Sequence, residues 1–316
     1  MGSKLLALTT AIVLMIGLAF LRASQPRTPV PSEPAAKKIW SIGVLTGSSP
    51  FDLNSAPGVE NPVITADDVK DINAGVVAHP FILKTDTKFY MFFTAKNTLN
   101  DQGEIGLAES KDGFSWTYRQ IVLDAPYHLA YPYVFQWQDQ YYMIPEGVDD
   151  RSVRLYRATD FPVEWTLEKV LIQGEKFISA SVIRFKDIWW MFVGLQGNET
   201  LRLYYADDLK GDWTEHPRSP IVQRDKNIAR PGGRPLVIDG SLYRLGQDCY
   251  PTYGLSVSAF QLTDLSKTTY REKMIDPPIV EATSTGWSAD GMHHVDACPI
   301  GEATWVAVVD AVRTVK

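Results

Sequence analysis

Cysteine is nearly absent from this chain: 316 residues hold only Cys249 and Cys298, far apart. That excludes a disulfide framework and a cysteine-based zinc site, and leaves either one bridge or two buried thiols. An excess of basic charge is also absent, with 31 Lys and Arg against 37 Asp and Glu and a formal net charge of −6. A nucleic-acid partner needs a basic face, so none is expected. Long amphipathic helical patterns are missing throughout. The pair Gly232-Gly233 precedes no helix and reads as a turn rather than a phosphate loop. Asn198-Glu-Thr200 also reads as a turn.

Aromatic residues, in contrast, are plentiful: 9 Trp, 14 Tyr and 13 Phe, against 45% apolar and 22% charged residues in total. This is the composition of a globular core rich in strand formers. The N-terminus stands apart. Leu5 to Leu21 is an unbroken run of apolar, small and Thr residues behind Lys4. It reads as a signal peptide or a short membrane anchor over residues 1–24. Arg22-Ala-Ser is a poor cleavage site, which favours the anchor. The chain is then exported and membrane-attached, facing the periplasm or cell exterior, or secreted if cleaved. Residues 25–38 carry four prolines and little apolar character, and form a stiff tether.

From Ile39 onward, the stretch from His128 to Glu146 sets the pattern. Two aromatic runs, Tyr131–Trp137 and Tyr141–Ile144, flank the polar turn Gln138-Asp139-Gln140. This is a β-hairpin signature. Similar hairpins open at His79, Ala180, Arg234 and His294, at a period of roughly 50 residues, the spacing of four-stranded propeller blades. The fifth unit lacks outer strands at the C-terminus. Trp40-Ser-Ile-Gly-Val matches the third-strand pattern, and Pro62-Val-Ile-Thr the fourth. The fold expected for residues 39–316 is therefore all-β: a five-bladed β-propeller whose last blade is closed by N-terminal strands. Trp116, Trp165 and Trp213, near the ends of three units, are expected to pack between blades.

In a propeller the innermost strands line the central channel, and their starts share one face. Those positions are His79, Thr94 and Lys96 in blade one; His128, Tyr131 and Glu146 in blade two; Ser179, Ser181 and Gln196 in blade three; Arg230, Arg234, Gln247 and Asp248 in blade four; His293, His294 and Asp296 in blade five. Carboxylates from separate blades meeting across a polar channel suit carbohydrate chemistry, because glycoside hydrolysis needs two carboxyl groups flanking the bond. The candidate catalytic residues are Glu146 and Asp248, with His79 as an auxiliary base. The candidate substrate-binding residues are His128, Tyr131, Arg230, Gln247, His294 and Asp296. No metal and no cofactor is expected. Neighbouring histidines on a strand point to opposite faces, so only one of His293 and His294 would reach the channel, as a hydrogen-bonded pair with Asp296.

Several of these stretches resemble a known family. Ala78-His-Pro-Phe, Glu104-Ile-Gly-Leu-Ala-Glu-Ser-Lys-Asp-Gly, Tyr142-Met-Ile-Pro-Glu, Ala229-Arg-Pro-Gly-Gly-Arg, Gly246-Gln-Asp-Cys and His293-His-Val-Asp resemble the N-terminal domain of glucosamine inositolphosphorylceramide transferases and related free-standing bacterial proteins. That domain is similar to the five-bladed propellers of glycoside hydrolase family 43. In the plant proteins a separate glycosyltransferase domain follows; the resemblance here covers the propeller, not transferase activity. The chain departs from the family pattern at His79, where Asp is usual and where the hydrolases keep their general base. It departs again at Phe177-Ile-Ser-Ala, which lacks a carboxylate. The resemblance implies a glycan-binding or glycan-processing propeller. The alternatives are an active furanosidase-type hydrolase, or a non-catalytic partner of a glycosyltransferase in envelope polysaccharide or glycolipid assembly.

Overall fold

Alternating apolar and polar residues bounded by turn formers make strands here, and the computed structural model, which describes residues 36–315, contains 22 of them. The membrane or signal segment and most of the tether lie outside the described residues. Two N-terminal strands, β1 (Lys37–Ser49) and β2 (Asp52–Ser55), come first. Blade one follows with β3 (Ala74–Lys84), β4 (Phe89–Asn97), β5 (Gly103–Ser110) and β6 (Thr117–Leu123). Blade two comprises β7 (Ala130–Trp137), β8 (Gln140–Glu146), β9 (Ser152–Asp160) and β10 (Glu164–Gln173). Blade three comprises β11 (Phe177–Phe185), β12 (Ile188–Leu195), β13 (Thr200–Ala206) and two short outer strands, β14 (Thr214–Glu215) and β15 (Val222–Gln223). Blade four starts with two short pieces, β16 (Arg230–Pro231) and β17 (Leu236–Ile238), then β18 (Ser241–Asp248), β19 (Ser256–Leu265) and β20 (Tyr270–Glu281). Blade five contributes β21 (Gly291–Gly301) and β22 (Thr304–Val315).

The ring closes as the sequence suggests. β1 pairs antiparallel with β22 without a break from Lys37↔Val315 to Gly47↔Trp305. One detail differs. The fourth strand of that blade is β2, a hairpin partner of β1, and Pro62–Thr65 supplies only the bridge Ile42↔Ile64. Ser49 and Asp52 are close enough for β1 to turn straight back, so the local hairpin takes most of the outer edge.

Local chemistry explains the tight hairpins. The turn between β7 and β8 places Gln138 and Asp139 at φ 48° and 59°; Lys186-Asp187 and Asp239-Gly240 repeat this. Two successive left-handed residues match the twist of paired strands. The blade-end tryptophans share a different device. The indole N–H of Trp116 donates to the Gly113 carbonyl, that of Trp165 to Pro162 and that of Trp213 to Leu209. With its polar atom satisfied, each ring is free to pack; Trp165 meets Phe92 of blade one edge-on at 5.5 Å. Cys249 and Cys298 are free thiols, the first buried and the second half-buried.

Candidate functional site

The innermost strands of the first three blades each interrupt their ladder near its start, blade one also between Ala74 and Val76. The shared breaks fall between Ala78 and Phe81, between Ala130 and Tyr133, and between Ile178 and Ser181. At each break one non-glycine residue is left-handed: His79 at φ 53°, Tyr131 at 47°, Ser179 at 51°. A bulge of this kind re-aims side chains that simple alternation would place elsewhere. A shift between Gly291 and His294 does the same in blade five. It brings both His293 and His294 against His79, where strand alternation gave only one of them to the channel. Blade four uses glycine instead. Gly233, at φ 153°, bridges Val295 so closely that a Cβ would stand 2.0 Å from the Val295 carbonyl oxygen.

These bulges fill the middle of the channel. Tyr131, Ser181, His294 and Asp296 are all buried. The Tyr131 hydroxyl bonds Ser181 Oγ at 2.9 Å and donates to the Gly233 carbonyl at 3.1 Å. His294 Nε2 donates to the Pro80 carbonyl at 3.0 Å. Asp296 accepts the Ile82 amide and two bonds from Arg234, at 2.8 and 2.9 Å. Burial pushes the His294 pKa down to about 3, so the ring stays neutral. Of the residues expected to bind substrate, Tyr131, His294 and Asp296 thus join blades to one another beneath the cavity. The aspartate that pairs with a histidine is also a different one: Asp310, not Asp296.

On the face where the inner strands begin, a cavity of about 380 Å³ opens above this plug. Its walls include Trp40, Tyr253, His79, His128, His293, Lys38 and Lys96. Trp40 stacks on His293 at 4.2 Å, Tyr253 meets His293 edge-on at 5.1 Å, and His79 lies flat against His293 at 4.8 Å. Asp310 organises the floor. One carboxylate oxygen accepts His293 Nδ1–H at 2.6 Å, and the other accepts the His79 backbone N–H at 2.7 Å. Burial opposes the Asp310 charge, but His293 outweighs it and holds the carboxyl below its usual range. His293 therefore presents Nε2 to the cavity, oriented as a histidine base is by a carboxylate. His128 is fixed too, its Nδ1 accepting the Gly103 amide at 2.9 Å.

Among the described residues, no carboxylate lines this cavity. Glu146 sits behind it, engaged through one oxygen. That oxygen accepts the Ser179 amide at 2.8 Å, the Ser179 hydroxyl at 3.1 Å and Arg230 Nη2 at 3.2 Å. Arg230 also donates to Asn198 Oδ1 at 3.0 Å and lies over the Tyr253 ring. Burial works against its charge, but Tyr253 and Glu146 outweigh burial and raise its pKa. Gln247 is buried in register with Arg230. Asp248 stands off the cavity walls, where its carboxylate accepts the Tyr250 amide and burial raises its pKa.

One group among the described residues offers three metal-ligand atoms within 4.8 Å: His79, His293 and Asp310. The two rings are stacked, only 11° from parallel. A metal bound by both imidazoles would have to lie in both ring planes, and stacked planes share no such point. The group is a hydrogen-bonded stack in which Asp310 already serves both histidines. Sequence reasoning missed Asp310, Trp40, Tyr253 and Asn198. A lone Asp in the apolar run Val306–Val312 was the available signal, because a buried carboxylate must find a partner.

Comparison with known proteins follows the same lines. The family described as glucosamine inositolphosphorylceramide transferase 1, N-terminal, matches residues 33–312. Glucosamine inositolphosphorylceramide transferase 1 of Oryza sativa subsp. japonica is 38% identical over 304 residues, covering 89% of this chain and 41% of the rice protein. Its namesake in Arabidopsis thaliana is 35% identical over 301 residues, covering 87% and 39%. The chain thus spans about two fifths of these relatives' length. Among solved structures, a putative glycoside hydrolase from Parabacteroides distasonis superposes with a TM-score of 0.60 at 13% identity, covering 81% of this chain and 95% of that one. An exo-β-1,3-galactanase from Clostridium thermocellum gives 0.55 at 18%, covering 66% and 51%. At these identities the likeness shows the fold.

Proposed function

The chain belongs to the family of the glucosamine inositolphosphorylceramide transferase N-terminal domain, and on that premise we propose that it is a glycan-binding propeller that holds a sugar in the cavity beside Trp40 without cleaving it. The observation that carries this reading is the wall of the cavity. It offers Trp40 and Tyr253 as stacking surfaces and three histidines as polar contacts, but no carboxylate. Hydrolysis by the usual route needs an acid that can give up a proton and a second carboxyl group across the bond. Glu146 is held as the charged partner of Arg230, and Asp248 stands away from the walls. In this reading the protein is exported, attached to a membrane through residues 1–24, and presents glycan to a separate glycosyltransferase. The names of the plant relatives, which join glucosamine to an inositolphosphorylceramide, support a glycolipid or envelope-polysaccharide setting.

A second reading, a hydrolase, is favoured by one observation. His293, backed by Asp310, turns a basic nitrogen to the cavity and could activate water there. A panel of furanosides, pyranosides and envelope polysaccharides separates the two readings. Melting shifts without sugar release support the binding module. Release that disappears in His293→Gln, with that variant shown to be folded at the assay temperature, refutes it in favour of the hydrolase.

A further inference from the structure

Away from the channel, the outer strands of blades four and five enclose a second cavity of about 360 Å³, within the range of small-ligand sites. It shares no wall residue with the cavity beside Trp40. Leu45 of β1, Leu53 of β2 and Ile279 of β20 give it apolar sides. Trp287, half-buried on the segment after β20, completes them. Its ring is held in place, lying so close over Gly43 that a Cβ there would meet it at 2.3 Å.

Most polar groups of this wall are spent inside the protein. Asn61 accepts from the Val44 amide at 2.8 Å and donates to the Val44 carbonyl at 2.9 Å. Thr283 donates to the Thr285 carbonyl at 2.9 Å, and Ser288 Oγ meets its hydroxyl at 2.7 Å. Asn54 donates to the Asp52 carboxylate at 3.3 Å, which leaves its own side-chain oxygen free. The neutral donors left over are the Ser55 hydroxyl and the Trp287 indole N–H. Glu281 is the one charged residue of the wall, and it is exposed. Among the described residues, neither Glu281 nor Asp52 takes part in an ion pair. The cavity therefore carries an uncompensated carboxylate beside an indole ring.

From this pairing we infer that the cavity between blades four and five binds a ligand with a protonated amine on a ring-sized body, the ammonium meeting Glu281 and Trp287 and the body lying against Leu45 and Leu53. An ammonium brings three donors and no acceptor, which suits the Glu281 carboxylate and the free Asn54 oxygen. Trp is also the side chain that attracts a cation best. A neutral ring would satisfy the apolar sides but leave Glu281 without a counter-charge, and an anion would be repelled. The site stands apart from the channel and does not depend on what the cavity beside Trp40 takes.

The test uses the full chain and isothermal titration near neutral pH, where the amines are charged. Two matched pairs serve as probes: methyl glucosaminide against methyl glucoside, and cyclohexylamine against cyclohexanol. The amine should bind at least about tenfold more tightly than its neutral counterpart, a difference of about 1.4 kcal/mol. Glu281→Gln, at an exposed position, should bring the two to near parity. Asn54→Lys, on the exposed face of β2, sets a resident ammonium in the same wall and should do the same. Neither substitution should change the affinity of the neutral probes. A preference confined to the sugar pair assigns an amino sugar, and one shared by both pairs assigns the amine as the recognised group. Equal affinity within both pairs, or no binding by either amine, overturns the inference. So does a preference that survives both substitutions, because the amine would then be held elsewhere on the chain.

Discussion

His79 from the first blade and His293 from the last lie face to face, ring centroids 4.8 Å apart and 11° from parallel. Two imidazolium rings could not stack this way without strong repulsion, so the contact requires that at least one stay neutral. The surroundings enforce that. Burial, then His293 and Arg230, lower the His79 pKa well below its ordinary value.

This sets the pH response. His79 and His294 both have folded pKa values below the unfolded value of about 6.5. Between those limits the unfolded chain binds more protons, so stability is full above about pH 6.5 and falls as pH drops toward the folded values. Asp310, whose folded pKa is also depressed, adds a further loss at the acid end as pH falls through that value. Melting followed from pH 7.5 to 4.5 should show a steep decline. His294→Gln should flatten it by up to about 1.4 kcal/mol per pH unit. An unchanged slope would mean that His294 is protonated in the folded state.

Glu146→Gln tests the pair behind the cavity. As a candidate catalytic residue alone, Glu146 would be replaceable without harm to folding. The structure says otherwise, because Arg230 would keep its charge in a buried site with its anion gone. Denaturant unfolding should show a loss of about 3–5 kcal/mol. The double variant Glu146→Gln, Arg230→Met should recover part of it; no recovery would separate the two residues energetically.

Trp165→Ala removes a ring wedged against Phe92 and Phe161 between blades one and two. The expected cost is about 3–5 kcal/mol. A variant that melts with the parent would place that ring outside the packed interior.

Gly233→Ala should be among the most damaging single-atom additions in the chain. The new methyl group meets the Val295 carbonyl at 2.0 Å, and the Gly233 carbonyl is a partner of the Tyr131 hydroxyl. Blades two, four and five share that point, so little of the variant should accumulate as folded protein. A soluble variant with normal melting would show that the blade contact yields easily.

Much of this architecture was readable from aromatic hairpins and their spacing. The run from Tyr131 to Glu146 states a blade by itself, and β1 announced ring closure by matching the third strand of blade one. The site was harder to read, because alternation assumes straight strands. His79, Tyr131 and Ser179 sit at bulges, and a bulge moves side chains between faces without changing composition. Pro80 and Pro132, directly after two of the three, are the trace the bulges leave in sequence. Trp40 was legible as a strand residue but not as a wall of the cavity, since its ring meets His293 only once the ring has closed. Asp310 stayed hidden for the same reason.

The seam between β1 and β22 sets Lys37 beside Val315, while Lys38 belongs to the cavity wall. The described ends of the first and last strands therefore lie together beside the cavity. The strand exchange that closes the ring thus also fixes an address: the first strand begins and the last strand ends at the rim of the same cavity.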